Sequence, residues 1–468
     1  MTGCSEYITP AEQQEYLAYH CPRDCIDNLT NGLEELNRME LRQHQGKKRL
    51  VCGGMAAFDK GLTDFLNTWN EQTGDLMLLS EVTAEYRRYT KEKIRFPFLC
   101  TPHLLAKEII VSNMPLPTTR RMKWLAFHRR CIVRAAEGLQ EKYGDLGKDY
   151  ALVWSWYAYR YCSLLLQKLR PKEVILWNAF YPFHRILESC CKKRRIPVTY
   201  MEFGCIPGTI CIETGGQQGK SLVARDARSF MDLAVSVPEQ EEAKQVLRYL
   251  KDTGLNRNTQ PAGRLDMGRL SYWKPERKTV LFLGQNDPES GLVPRTRESR
   301  RYHSPIFSST MEALEELRAV SQEQAWNLIY KPHPMMEANR RLRNYNMHNV
   351  DVVTDVNINH LIDQADLVVT IVSQGAYIGL IRRRPVLMLG YTQLRGKGCA
   401  YEAFSREEIQ KTIAAALQKG YTQEQENAFE KHVAQLLKYY LYDDNCDRIL
   451  RFGRSIRTWK TEKNTVLP

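Results

Sequence analysis

Four polar clusters in this sequence hold the residue types that grip oxyanions or move protons. Lys331-Pro332-His333-Pro334 sets an imidazole between two prolines, which fix the backbone around it, with a lysine one step away. Such an imidazole suits a hydrogen bond to a phosphate or a leaving-group oxygen; a histidine that only packs in a tight turn is the plainer alternative. Ser373-Gln374-Gly375 brings a hydroxyl and small residues to the mouth of an expected helix, where free N–H groups would seat an anion. An ordinary serine N-cap uses the same residues.

The third cluster is Gly284-Gln285-Asn286-Asp287-Pro288 with Ser290, followed by His303-Ser304-Pro305 before a helix opening near Ser308-Ser309. A turn of this composition is commonplace, but hydroxyls and N–H groups at a helix start suit a phosphate oxygen. The fourth is Glu202-Phe203-Gly204, with Ile206-Pro207-Gly208-Thr209 and the loop from Gly215 to Gly219 behind it. A carboxylate there would take the proton of an acceptor hydroxyl attacking an anomeric carbon, the task of an inverting transferase. A glutamate that merely pairs with a nearby arginine is the competing explanation. Asn178 and His184, after the preceding strand, would line the same pocket on the acceptor side.

These clusters need elements that point them at one another. Apolar segments predict strands at 280–283, 327–330, 350–353, 367–370 and 386–389, separated by helical patterns at 309–320, 357–363 and 375–381. Strands alternating with helices imply a parallel, doubly wound sheet, whose ligands sit outside the carboxyl ends of the strands. Upstream, 174–177, 183–193 and 198–201 form a clear βαβ unit. An apolar segment from Arg49 to Gly53-Gly54, an amphipathic stretch to Trp69 and the run 76–79 open the same kind of domain.

Between 120 and 170, Trp124, Phe127, Ile132, Leu152, Trp156, Tyr159 and Leu164 recur at helical spacing, as a core stripe would. The first 47 residues are polar, with a helix start at Pro10-Ala11-Glu12, and 405–439 predicts two more helices. The polar stretch from Asn256 to Arg277 predicts a linker. The expected division is therefore 1–260 for an N-terminal Rossmann-like acceptor-side domain with a helical extension, 275–440 for a C-terminal nucleotide-sugar-binding domain, and 441–468 for a tail.

The 468 residues exceed what one core usually organises, and 43% apolar with 26% charged residues is an ordinary globular composition. A net charge of +13 favours anionic partners: phosphorylated substrates, an anionic membrane surface or nucleic acid. Its basic residues form short clusters (Arg120 to Lys123, Lys192 to Arg195, Arg382 to Arg384) instead of one tail, and no nucleic-acid motif accompanies them. The 13 cysteines have no regular spacing, and the group His20, Cys21, Cys25 is too sparse for a zinc site, so no metal is expected. No apolar run near the N-terminus fits a signal peptide and no stretch of about 18 apolar residues spans a bilayer. A cytoplasmic protein, peripheral at most on the inner face of the cell membrane, is expected.

The Lys331 to Pro334 motif, the Ser373-Gln374-Gly375 turn with Arg384-Pro385-Val386 after its helix, and Glu202-Phe203-Gly204 with Pro207-Gly208-Thr209 together resemble the capsular polysaccharide biosynthesis glycosyltransferases, a group that includes the Kdo transferases. The likeness runs from about Arg49 to Gly390 and is loose outside these motifs. It implies a GT-B fold of two Rossmann-like domains facing across a cleft, a CMP-activated donor such as CMP-Kdo, a saccharide or lipid-linked acceptor, and neither cofactor nor essential metal. It also implies that His333, Pro334 and Ser373 contact the nucleotide phosphate. Here the turn reads Ser-Gln-Gly where relatives often carry paired Ser or Ser-Thr. A teichoic-acid-type polymerase using CDP-glycerol is the nearest rival, and it would need a second histidine, for which His303 and His360 are the candidates. A non-enzymatic basic protein binding nucleic acid or membrane is the alternative of another class.

Overall fold

A computed structural model of the chain describes residues 33–53, 59–80, 87–101, 120, 124, 129–143, 146–257, 260–333, 347–444 and 452–456. Pro334, Gly54, Phe127, the helix start at Pro10 and the His20, Cys21, Cys25 group lie outside the described residues.

Two sheets organise the molecule. The first holds seven strands: β1 (Arg49–Cys52), β2 (Leu76–Ser80), β3 (Phe98–Cys100), β4 (Glu173–Trp177), β5 (Val198–Phe203), β6 (Thr209–Glu213) and, far along the chain, β13 (Leu441–Asp443). Their spatial order is β13-β6-β5-β4-β1-β2-β3, parallel from β3 to β5, with β6 antiparallel to both its neighbours. The second sheet, in the order β12-β11-β10-β7-β8-β9, is parallel throughout. Its strands are β7 (Thr279–Leu283), β8 (Asn327–Lys331), β9 (Asp351–Val352), β10 (Leu367–Thr370), β11 (Val386–Met388) and β12 (Tyr401–Glu402). Each sheet starts in its middle, winds outward, then returns to wind the other way, the order of a Rossmann sheet. The fold is the expected pair of doubly wound domains, in the GT-B arrangement.

Helices cover both faces of each sheet, so the central strands read as unbroken apolar runs: β2 and β7 are buried at every position. Alternate residues serve alternate faces. Leu50 and Cys52 join a cluster with Trp154 and Phe183, while Val51 joins Phe65 and Trp69 on the other side. Trp69 and Trp154 are fully buried, each contributing about 1.5–3 kcal/mol or more over an exposed position. At the amino ends of the strands, Arg49 binds Asp75 at 2.7 Å and Glu173 at 3.1 Å, which neutralises the end of the sheet opposite the cleft.

Local signals set the helix ends. Asp59 accepts from Leu62 N at 2.7 Å to open the helix Lys60–Thr73, and Gly74 closes it with φ 65°. Pro182 occupies the first turn of Pro182–Arg194, where its missing N–H costs nothing.

Three features differ from the sequence-based picture. The helix Val237–Thr253, counted with the N-terminal domain, lays Ala243, Val246 and Leu250 into one cluster with Leu281, Ile329 and Val368 of the second sheet and Phe429 and Val433 of the helix Gln423–Tyr439. An amphipathic pattern shows that a face is buried but not which sheet it covers. The supposed tail returns as β13, pairing Leu441 with Cys211 and Asp443 with Thr209. Trp124 is 60% exposed, so the core stripe does not include it.

Candidate functional site

In each sheet the winding reverses beside the first strand, between β1 and β4 and between β7 and β10, which parts the loops and leaves a crevice at the carboxyl ends. These ends of the two sheets meet. Gln374, after β10, donates from Nε2 to Phe203 O of β5 at 3.4 Å. Asn178, after β4, donates from Nδ2 to Glu289 O, after β7, at 3.5 Å. Phe180 stands edge-on to the His303 ring at 5.0 Å, and Lys142 forms an ion pair with Glu289.

Glu202 is half-buried near the end of β5. Burial pushes its carboxyl up to about 7, against the field of Arg257 and hydrogen bonds from Gln218, whose Nε2 lies 3.5 Å from Oε2. Its Oε1 is enclosed without a hydrogen-bond partner among the described residues. The loop that serves Glu202 is firmly seated: Gln217 donates to Met201 O at 3.1 Å and accepts from Ala179 N at 2.6 Å, and Gln218 is held at φ 54°. Gly219 presses on the other domain so closely that a Cβ would fall 1.8 Å from Tyr302 O and 2.5 Å from Tyr391 O.

His333 follows β8 and flanks the end of β7, its backbone N being 3.4 Å from where a Cβ on Gly284 would lie. Burial, then the charges of Arg257 and Lys331, push its imidazole down to about 4. At neutral pH it is an uncharged hydrogen-bonding group, not a cation.

Arg257 ties these residues together. Its guanidinium lies over the Phe203 ring at 5.1 Å and donates to Gln374 Oε1 at 3.3 Å, while its charge is felt at both Glu202 and His333. Its side chain is exposed where it rests on Phe203 and reaches Gln374. Sequence reasoning passed over Arg257 and Asp59, which stand in no motif, and did not single out Gln218 within the Gly215 to Gly219 loop. Arg257 sits in the polar stretch taken as linker, and only the assembled fold brings it to the cleft.

The other expected site residues are placed differently. Lys331 is buried and its Nζ donates to Thr354 O at 2.6 Å, so its ammonium serves the β8–β9 end of the sheet. Ser373 Oγ accepts from Gly375 N at 3.1 Å, which closes a turn just before a helix, Gly375–Ile381, whose N-cap is Gln374 and which is too short to carry much dipole. His184 is a core residue, its Nδ1 2.7 Å from Asn178 O and its ring against Tyr181 and Phe183. Asn178, at φ 56°, accepts from Phe180 N at 3.0 Å and shapes the turn.

The cluster after β7 is corrected in its role. The anion at the start of the helix Thr310–Glu323 is the protein's own Asp287, whose Oδ2 accepts from Thr310 N at 2.8 Å and whose Oδ1 accepts from Gln285 Nε2 at 2.7 Å. Ser290 donates to Asp287 O at 3.0 Å, and Gln285, Asn286 and Ser290 are all buried. His303 is sealed against Phe180 and Gly291, with burial pushing its imidazole down to about 3. These residues fix a turn and an interdomain contact. Asp287→Ala is accordingly expected to lower unfolding stability by about 1–3 kcal/mol in a urea titration, through lost capping and the stranded donors of Gln285 and Thr310, with no selective loss of nucleotide binding.

Residues 295–434, under a third of the chain, match the family model for capsule polysaccharide biosynthesis protein. No curated protein matches the chain. Among solved structures it is similar to the KpsC beta Kdo 2,4 transferase of Thermosulfurimonas dismutans, with 18% identity over 53% of this chain and 79% of that one and a TM-score of 0.39. The beta Kdo 2,7 transferase of the same organism's KpsC shares 18% identity over 58% of this chain and 88% of its own, at a TM-score of 0.34. The UDP-GlcNAc 2-epimerase of Methanocaldococcus jannaschii shares 11% identity over 82% and 97%, also at 0.34.

Proposed function

We propose, on the premise that residues 295–434 are of the capsule polysaccharide biosynthesis family they match, that this chain is a nucleotide-sugar-dependent glycosyltransferase of surface polysaccharide synthesis. One observation carries the proposal: Glu202 near the end of β5 and His333 after β8 stand at the carboxyl ends of two facing sheets, the charge of Arg257 acts on both, and burial raises the carboxyl's pKa and lowers the imidazole's.

The chemistry follows from those protonation states. The acceptor hydroxyl attacks the anomeric carbon and gives its proton to Glu202, whose elevated pKa makes it a stronger base than a surface carboxylate. The bond from that carbon to the phosphate oxygen breaks, and the electron pair leaves with the nucleotide. His333 supplies a hydrogen bond to the phosphate as its charge grows, in a site dry enough to make that bond count. Attack opposite the leaving group inverts the anomeric centre. The donor is a CMP-sugar such as CMP-Kdo, the acceptor a saccharide or lipid-linked chain, and the scheme assigns no step to a metal or cofactor.

His303 is sealed beneath Phe180, and His360 Nε2 lies 3.3 Å from Leu265 O, which weighs against either as the second histidine a glycerophosphate transfer would use. No helix among the described residues is long and apolar enough to cross a membrane. In the cluster Arg382 to Arg384, Arg382 pairs with Asp363 and Arg383 with Glu426, while Arg384 donates to Asp363 O; in Lys192 to Arg195, Lys192 pairs with Glu188, and the exposed Lys193 and Arg194 are offered to an anionic membrane surface. In a thermal-shift series, CMP is expected to raise the melting temperature more than UMP, UDP or GDP, with about 2.7 kcal/mol of stabilisation at 100 times its Kd. Equal shifts would remove the CMP assignment.

A further inference from the structure

We propose that Arg257 is the anion-holding residue of this cleft, its guanidinium gripping an oxyanion of the substrate between Glu202 on one sheet and His333 on the other. The inference rests on the proposed transferase activity and names the substrate class it takes, an acidic one.

Several other arginines are engaged by the protein. Arg49 is matched by Asp75 and Glu173, Arg382 by Asp363, and Arg295 donates to the carbonyls of Ser304, Pro305 and Phe307. Arg257 has no carboxylate within ion-pair distance among the described residues. Its hydrogen bond is a single long one, 3.3 Å to Gln374 Oε1, and one flat face rests on Phe203. A guanidinium carries five N–H donors in a planar fork, so most of this one stays unmatched.

The two acids near enough to be felt, Glu202 and Asp59, do not close on it. Asp59 is engaged at Leu62 N, 2.7 Å away, and Glu202 keeps an unpartnered Oε1. The Arg257 side chain is exposed, so its N–H donors are open to a ligand that enters between the sheets. A two-oxygen anion lying along the fork would pair with them and would end beside the imidazole of His333. The nucleotide phosphate and the carboxylate of an acidic sugar share this chemistry.

The test uses the purified full-length chain and four probes, CMP, cytidine, free Kdo and inorganic phosphate, followed by calorimetry and thermal shift. The wild type is expected to bind CMP more tightly than cytidine. Arg257→Gln is expected to weaken CMP by about 10- to 100-fold with cytidine unaffected, the effect of deleting a charge-assisted pair of hydrogen bonds. Its melting temperature without ligand should hold, as for a change at an exposed position, and Arg257→Lys should restore only part of the affinity. A loss confined to Kdo would support a sugar carboxylate as the oxyanion, and a loss extending to inorganic phosphate supports the phosphate. If Arg257→Gln binds CMP and Kdo as the wild type does, the inference is overturned while the transferase assignment stands. If the wild type binds none of the four, the transferase assignment falls and takes the inference with it.

Discussion

Replacing Glu202 with glutamine is expected to cut turnover by about 10²- to 10⁴-fold while leaving the melting temperature unchanged or higher. Both halves follow from the same burial. A carboxyl held near 7 is a better base than one at its ordinary value, and glutamine keeps its shape without its proton affinity. Because the folded value lies above the unfolded one, folding favours the protonated acid. That contribution is full below the unfolded pKa and is lost as pH rises through about 7, so at pH 8 an ionised Glu202 is a burden glutamine lifts. Glu213, buried on the neighbouring strand and pushed up to about 8, acts in the same direction, so variants must be compared at one pH. In the wild type kcat/KM should fall as pH drops below about 7, and the rate left in Glu202→Gln should lack that limb. A variant that keeps wild-type turnover would exclude Glu202 as the base.

His333→Ala is expected to lower kcat by about 10²- to 10³-fold, the usual cost of losing one preorganised donor to a developing anion. The imidazole is neutral at pH 7 because burial and two cations hold it near 4. A phosphate at hydrogen-bond distance reverses that balance and raises its affinity for a proton. CMP binding at pH 5 to 6 should therefore take up more protons in the wild type than in His333→Ala, the phosphate's own ionisation being common to both, measurable by calorimetry in buffers of different ionisation enthalpy. The native group's depressed pKa favours the neutral fold above its ordinary value of 6.5, and that stability is lost as pH falls through about 4. Equal proton uptake in both proteins would place the phosphate elsewhere.

The second sheet was legible in the sequence almost to the residue. Expected strands at 280–283, 327–330 and 367–370 correspond to β7, β8 and β10, because buried parallel strands are short, wholly apolar and closed by polar loops. The short edge strands β3, β12 and β13 escaped, since two or three residues leave no periodicity to detect. β6 escaped because Pro207-Gly208 reads as loop, and the antiparallel return it makes against β5 follows from tertiary pairing. For the site, position at or just after a strand's carboxyl end singled out Glu202 and His333 as candidates. It misread Asp287, because a buried carboxylate capping a helix and an anion-binding turn have the same composition. Arg257 carried no local signal at all: its place is set by Phe203 and Gln374, separated from it by 54 and 117 positions in sequence.

Among the described residues the backbone passes between the two sheets twice, forward after β6 and back at Tyr440 into β13. Between the sheets Cys211 and Leu441 of the first join Leu281 and Val368 of the second in one apolar cluster. The separation of the proposed proton acceptor from the phosphate's proposed hydrogen-bond donor is therefore set by shared packing as well as by the two chain crossings, and a cavity made in that cluster should reach the chemistry through the seating of one sheet on the other.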